Sequence, residues 1–303
     1  MLQNHRKNVI WNPVFPADYQ TFCCETVVLS NEIHNLQAFN NSFIIFMKTK
    51  SIFALMLGCL LVLAACKKSN NQEPEGPSDN NTLVTYAVGD IVLTDGSVVS
   101  SQSGSLTEAQ KQAAVAYIFY VGKDFNLEGD TATRTLGVGF ETGQKAWCAD
   151  DAQAYDVHVD DLEYTVVNGS NHLALLSDFL VRTGRTDDTA EASKYPAFHF
   201  AQNYKDAATR LQGTAYEQGW YLPSRAELLA LLAQIGDIRQ ASELCGGDSF
   251  ESNEWLSASQ ASMPSMPDDD RRGVWVCAPE GMGWEYGLFS KTGVHDVCVI
   301  REF

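Results

Sequence analysis

Cysteines are the residues of this 303-residue chain best suited to specific chemistry, and four of the eight follow residue 66. These four are Cys148, Cys245, Cys277 and Cys298. Their even number allows two disulfides in an exported protein, and the sequence does not separate the three connectivities. They form no CxxC pair, and they do not stand at metal-ligand spacing from the later histidines, which are His158, His172, His199 and His295. We therefore expect neither a metal site nor a cofactor.

Acidic and aromatic side chains near the C-terminus are the candidates for ligand binding. They are Asp268, Asp269, Asp270, Trp275, Trp284 and Tyr286. Consecutive carboxylates on an extended chain point in different directions, which favours a solvated loop over a calcium site. The aromatic rings could present their faces to a sugar, although packing between strands is the simpler explanation. No Ser-His-Asp arrangement or glycine-rich phosphate loop stands out, so we expect no catalysis.

Residues 47–65 have the pattern of a secretion signal. Lys48 and Lys50 make a positive start, residues 52–63 are mostly apolar, and small alanines stand at 64 and 65. The apolar run is too short for a membrane span, which needs about 20 residues. We expect Met47 to be the initiator and residues 1–46, which show no helical or strand period, not to be translated.

The motif Leu63-Ala64-Ala65-Cys66 resembles the lipobox of bacterial lipoproteins. This resemblance implies that Cys66 is acylated through its sulfur and becomes the first mature residue. The expected partner of Cys66 is therefore a membrane, in the bacterial cell envelope and by resemblance the outer membrane, with a periplasmic or surface-exposed domain. Residues 66–82 are rich in Asn, Ser, Pro and Glu, a composition typical of a disordered tether.

The charge of the chain limits its other partners. It carries 38 Asp and Glu against 21 Lys and Arg, a formal net charge of −17. Nucleic acid and anionic lipid are disfavoured as partners at that charge. A solvated acidic surface that keeps an exported protein soluble explains the composition.

Residues 83–194 are predicted to be β-rich. The Asp95-Gly96 turn between two apolar runs predicts a hairpin, and strands are expected over 113–121 and 135–140. Thr107 and Gln110 form a capping box that should begin a short helix.

Residues 195–303 combine helices with short strands. Ser224 and Glu227 predict a second capping box, before an apolar stripe at Leu228, Leu229, Leu231, Leu232 and Ile235. Short apolar runs follow, at 254–257, 273–277, 284–289 and 296–300. The chain is thus predicted to be α+β, with an antiparallel sheet at its C-terminal end.

The segment Gly219-Trp220-Tyr221-Leu222-Pro223-Ser224-Arg225-Ala226-Glu227-Leu228 resembles the G-W-[RY]-L-P-[ST]-x-x-E-L signature of bacterial C-type-lectin-like domains. These domains include the C-terminal domain of collagen-like bacterial adhesins and, more distantly, the formylglycine-generating sulfatase-modifying family. Later runs resemble the family's strands in the same order: 255–259, 273–277 and 297–301. The resemblance implies a C-type-lectin-like core over 195–303, while capping and packing explain the signature residues themselves.

The resemblance implies a non-catalytic domain that binds an extracellular glycan, protein or matrix component. An oxidase of the formylglycine-generating type is an alternative, with Cys277 and Cys298 as its cysteine pair, although the family's Trp-Glu-Trp stretch before the first cysteine is missing. A structural subunit of a surface assembly is a third hypothesis. In the lectin strand order the closing strand lies beside the strand ending at Cys277, so a Cys277–Cys298 disulfide is allowed but not required.

Overall fold

A computed structural model describes residues 84–261, 271–279 and 286–303. Several predictions of the sequence fall outside these residues: the segment 1–46, the signal peptide over 47–65, the lipid site Cys66 and the tether over 66–82. The candidate ligand residues Asp268, Asp269, Asp270 and Trp284 also lie outside them.

The α+β prediction is confirmed. The helices of the described residues are α1 (Glu108–Ala113), α2 (His172–Arg182), α3 (Pro196–Gln202), α4 (Arg225–Leu232) and α5 (Ile235–Cys245). The strands are β1 (Asp90–Leu93), β2 (Val98–Ser100), β3 (Ala114–Gly122), β4 (Arg134–Gly139), β5 (Gly143–Lys145), β6 (Trp220–Tyr221), β7 (Trp255–Gln260), β8 (Gly273–Cys277), β9 (Tyr286–Ser290), β10 (His295–Val297) and β11 (Ile300–Glu302).

Two sheets organise these strands. One has the order β2-β1-β3-β4-β11-β6, and the other has the order β5-β10-β7-β8-β9. The pairs are antiparallel except for β10 with β7. Strands from 83–194 and from 195–303 occur in both sheets, so the two parts of the chain are interleaved in one compact unit.

The six-stranded sheet is covered on both faces. Neighbouring residues Ile91 and Val92 of β1 belong to separate buried clusters, because successive side chains of a strand point to opposite faces. Leu228 of α4 and Ile238 of α5 pack in the cluster that contains Ile91. Within the described part of the chain, none of the helices is long and apolar enough to cross a bilayer.

Both capping boxes are confirmed. Thr107 and Gln110 exchange hydrogen bonds at the start of α1, and Ser224 and Glu227 do so at the start of α4. Leu228, Leu231 and Leu232 are buried as predicted. The predicted stripe is broken before Ile235, because α4 ends at Leu232 and Ile235 begins α5.

The prediction of a single strand over 296–300 is wrong. These residues belong to two strands that lie in different sheets. β10 pairs with β5 and β7, whereas β11 pairs with β4 and β6. Cys298 and Val299 connect them and are fully buried. The closing strand therefore does not lie beside β8, because β7 separates β8 from β10. Cys277 and Cys298 are free buried thiols in this structure, as are Cys148 and Cys245.

Candidate ligand-binding site

A buried ion pair lies under the signature segment. Oε1 of Glu227 accepts hydrogen bonds from Nη1 of Arg134 at 3.2 Å and from the hydroxyl of Tyr221 at 3.1 Å. Its Oε2 accepts from the backbone N–H groups of Gly169 and Ser224, at 3.0 and 2.9 Å. Burial raises the pKa of Glu227, while the Ser224 N–H and Arg134 oppose that rise. These bonds tie the start of α4 to β4 and to the 3₁₀ turn at Gly169–Asn171.

Gly169 has to be a glycine because this network passes so close to it. A Cβ there would lie 2.5 Å from the nitrogen of Ser224 and 2.7 Å from Oε2 of Glu227, closer than real contacts allow. The geometry supports a structural role for the signature glutamate, which caps α4 and neutralises a buried arginine.

Beside this network, Arg225 stands at the first position of α4 and is surrounded by aromatic rings. Its Cζ lies 3.8 Å from the ring centre of Tyr286, 4.9 Å from that of Trp275 and 5.4 Å from that of Tyr164. The rings also meet edge to face, with centroids 5.3 Å apart for Trp275 and Tyr286 and 5.9 Å apart for Tyr164 and Trp275. We call these four residues the arginine–aromatic cluster.

Four different parts of the chain bring the cluster together. Trp275 and Tyr286 lie diagonally on the antiparallel strands β8 and β9, where Cys277 is the direct partner of Tyr286. Tyr164 follows a 3₁₀ turn at Asp160–Leu162. The backbone N–H of Arg225 donates to Oγ of Ser259 at 2.9 Å, which links α4 to β7.

The cluster combines exposed rings with unused hydrogen-bond donors. Tyr164 is 39% exposed and Tyr286 is 42% exposed, whereas Trp275 is 7% exposed. Nε of Arg225 and Nε1 of Trp275 are buried and have no hydrogen-bond partner. The guanidinium of Arg225 forms no ion pair with any described residue. Buried donors normally find an acceptor, and these two have none among the described residues.

Two of the four residues of this cluster were predicted from the sequence. The structure brings the predicted Trp275 and Tyr286 together, whereas Trp284 and the three aspartates lie outside the described residues. Sequence reasoning missed Tyr164 and Arg225. Arg225 occupies a variable position of the signature and could have been noticed as a cation in a first helical turn, where acidic residues are favoured. Tyr164 gives no comparable signal.

The cysteine pair offers no accessible sulfur. Cys277 and Cys298 are fully buried. Burial raises the pKa of the Cys277 thiol to about 12 and that of Cys298 still further above its ordinary value. Thiolates are the form that binds metals and reacts with oxidants, so these protonated thiols give the oxidase hypothesis no support.

The fold has a solved counterpart. It is the crystal structure of a fimbrial protein from Bacteroides ovatus, which superposes with a TM-score of 0.50 at 14% sequence identity. The two proteins share a fold. The match covers 72% of this chain and 49% of the fimbrial protein, so it spans about half the length of that protein. No family model and no curated protein matches the sequence.

Proposed function

We propose that this protein is a lipid-anchored cell-surface protein that binds an extracellular glycan at the arginine–aromatic cluster, without catalysis. The observation that carries the proposal is the guanidinium of Arg225, which stacks on aromatic rings and has no ion-pair partner among the described residues. The resemblance of the signature segment to C-type-lectin-like domains supports the same class of function.

The chemistry of the cluster matches a sugar. The apolar face of a sugar ring can stack on the exposed rings of Tyr164 and Tyr286, as other apolar groups do. Arg225 can donate two parallel hydrogen bonds to a carboxylate or to neighbouring hydroxyls. The net charge of −17 favours neutral or singly acidic sugars over polyanionic polysaccharides, which the whole protein would repel.

A glycan array probed with the purified protein tests this proposal. We expect Tyr286→Ala to weaken binding at least about tenfold, because the variant loses the stacking surface and the main contact of Arg225. Tyr286→Phe is the matched control and should retain binding. Arg225→Lys should bind more weakly than the wild type, since an ammonium cannot form the planar two-bond contact.

Two results would contradict the glycan proposal. One is an array without binding over the full range of protein concentrations. The other is a Tyr286→Ala variant that binds as the wild type does while its circular dichroism is unchanged.

A subunit of a surface assembly is the second candidate function. The shared fold with a fimbrial protein favours it, although a likeness at 14% identity concerns the fold alone. Cross-linking on intact cells discriminates between the two: an assembly subunit would appear in high-mass ladders of regular spacing, whereas a lectin-like monomer would not.

A further inference from the structure

Three side chains that could bind a metal converge around the 3₁₀ turn at Asp160–Leu162. Nε2 of His158 lies 3.0 Å from Oε1 of Glu163 and 3.6 Å from Oδ1 of Asp160. One ligand atom from each of the three residues can be chosen so that all lie within 4.8 Å of one another. The spacing of histidines from cysteines did not predict this set, which combines one histidine with two carboxylates.

The distances are close to those of a coordinated metal. Zinc binds nitrogen and oxygen ligands at about 2.0–2.2 Å, so two ligands of a tetrahedral ion lie roughly 3.3–3.6 Å apart. Small side-chain rotations would therefore bring the three atoms into a common coordination sphere.

Buried Gln260 fixes the backbone that carries these ligands. Its Oε1 accepts from the N–H of Val159 at 3.0 Å, and its Nε2 donates to the carbonyl of Val157 at 2.8 Å. The two bonds hold the chain on either side of His158. Glu163 forms a β-bridge with Gln260, so the far end of the turn is held by the same residue.

The charges around the set favour a cation. Among the described residues, no lysine or arginine pairs with Asp160 or Glu163. The ion-pair partner of both carboxylates is His158. The intervening Asp161 points elsewhere and pairs with Arg182 at 2.5 Å. Nε2 of His158 is hydrogen-bonded to Oε1 of Glu163, and a carboxylate only accepts, so Nε2 carries the ring proton when no metal is bound. A metal would replace that proton at Nε2, and the ring proton would then lie on Nδ1, which is buried and has no acceptor among the described residues.

We infer that His158, Asp160 and Glu163 form a binding site for a divalent transition-metal ion, with zinc as the best match. One imidazole nitrogen and two carboxylate oxygens suit zinc and its neighbours, whereas calcium needs six to eight oxygen ligands. Three protein ligands leave a coordination position for water or another group. The site goes beyond the proposed function and does not depend on it, because no residue of the arginine–aromatic cluster is a ligand.

Isothermal titration of the purified, tag-free protein with zinc chloride tests the inference. We expect one zinc ion per chain, and binding at least about tenfold tighter than that of calcium chloride. His158→Gln and Asp160→Asn should each weaken zinc binding about tenfold or more. Asp160 is 83% exposed, so its substitution tests the site without disturbing the fold.

Asp161→Asn and His199→Gln are the matched controls, because each removes the same chemical group from a position outside the set. Both should bind zinc as the wild type does. The inference is overturned if no heat of binding is observed, if His158→Gln and Asp160→Asn bind as well as the wild type, or if Asp161→Asn weakens binding as much as Asp160→Asn. The last result would mean that zinc is attracted by the acidic surface in general and not bound at a specific site.

Discussion

Lys291 is a lysine in an environment that normally excludes lysines. Its side chain is fully buried, and its Nζ donates to the carbonyls of Ala154 and Val157 at 2.7 and 2.8 Å. Nζ also lies 4.9 Å from the ring centre of Trp147. Burial lowers the pKa of Lys291 to about 7, because desolvation disfavours the charged form.

Lys291 should make stability depend on pH. The unfolded chain keeps this proton up to its ordinary pKa of 10.5, whereas the folded protein releases it near 7. The unfolded state therefore binds more protons above about pH 7, and stability rises with pH by at most about 1.4 kcal/mol per unit. Urea melts from about pH 7 to 8 should show a steeper rise for the wild type than for Lys291→Met, because unfolded cysteines, which ionise at about pH 8.5, lower the slope of both proteins equally. An equal slope in both proteins would refute the assignment.

Single residues were the hardest features to predict from the sequence. Trp275 and Tyr286 were identified because a ring that can stack on a ligand is recognisable by its type alone. Arg225, Tyr164 and the burial of Lys291 were missed, because their roles come from contacts between residues far apart in the chain. No local pattern encodes such contacts.

At the scale of elements, the features set by local interactions were predicted well. Both capping boxes and the Asp95-Gly96 turn depend on hydrogen bonds within four residues. The division of the last predicted strand into β10 and β11 could not be seen, because it depends on which sheet each half joins. β5 and β6, of three and two residues, are too short to carry a pattern.

The helix α4 provides a ranked prediction of stability. Ser224→Ala should cost about 1–2 kcal/mol, since Oγ caps the N–H of Glu227 and also donates to the carbonyl of Val167 at 2.7 Å. Leu228→Ala should cost about 2–5 kcal/mol because it leaves a cavity at a fully buried position. Denaturant melts of the two variants measure both values. If Ser224→Ala proved the more damaging, α4 would depend on its cap more than on its packing.

At the scale of the whole molecule, the alternation of helical and strand patterns was enough to predict an α+β protein. The order of strands was not predictable, since it follows from pairings such as that of β5 with β10 across more than half of the described chain. The proposed location rests on the sequence around Cys66.

Replacing Cys66 tests the proposed anchor. In Cys66→Ala the only acylated residue would be lost, so the protein should accumulate as an uncleaved or soluble precursor. Detergent phase separation of labelled cells, combined with mass determination, measures this outcome. Recovery of the variant in the detergent phase at an unchanged mass would exclude lipidation at Cys66.

The position of the last two strands determines when the protein can fold. β11 lies between β4 and β6, and β10 lies between β5 and β7, so each sheet is joined by a strand that follows its neighbours in the sequence. A nascent chain that has reached Gly293 holds strands that still lack their central partners, and such open edges invite aggregation and proteolysis. Residues 295–302 are therefore needed before either sheet can close, and a chain truncated before them is exposed to degradation as a whole.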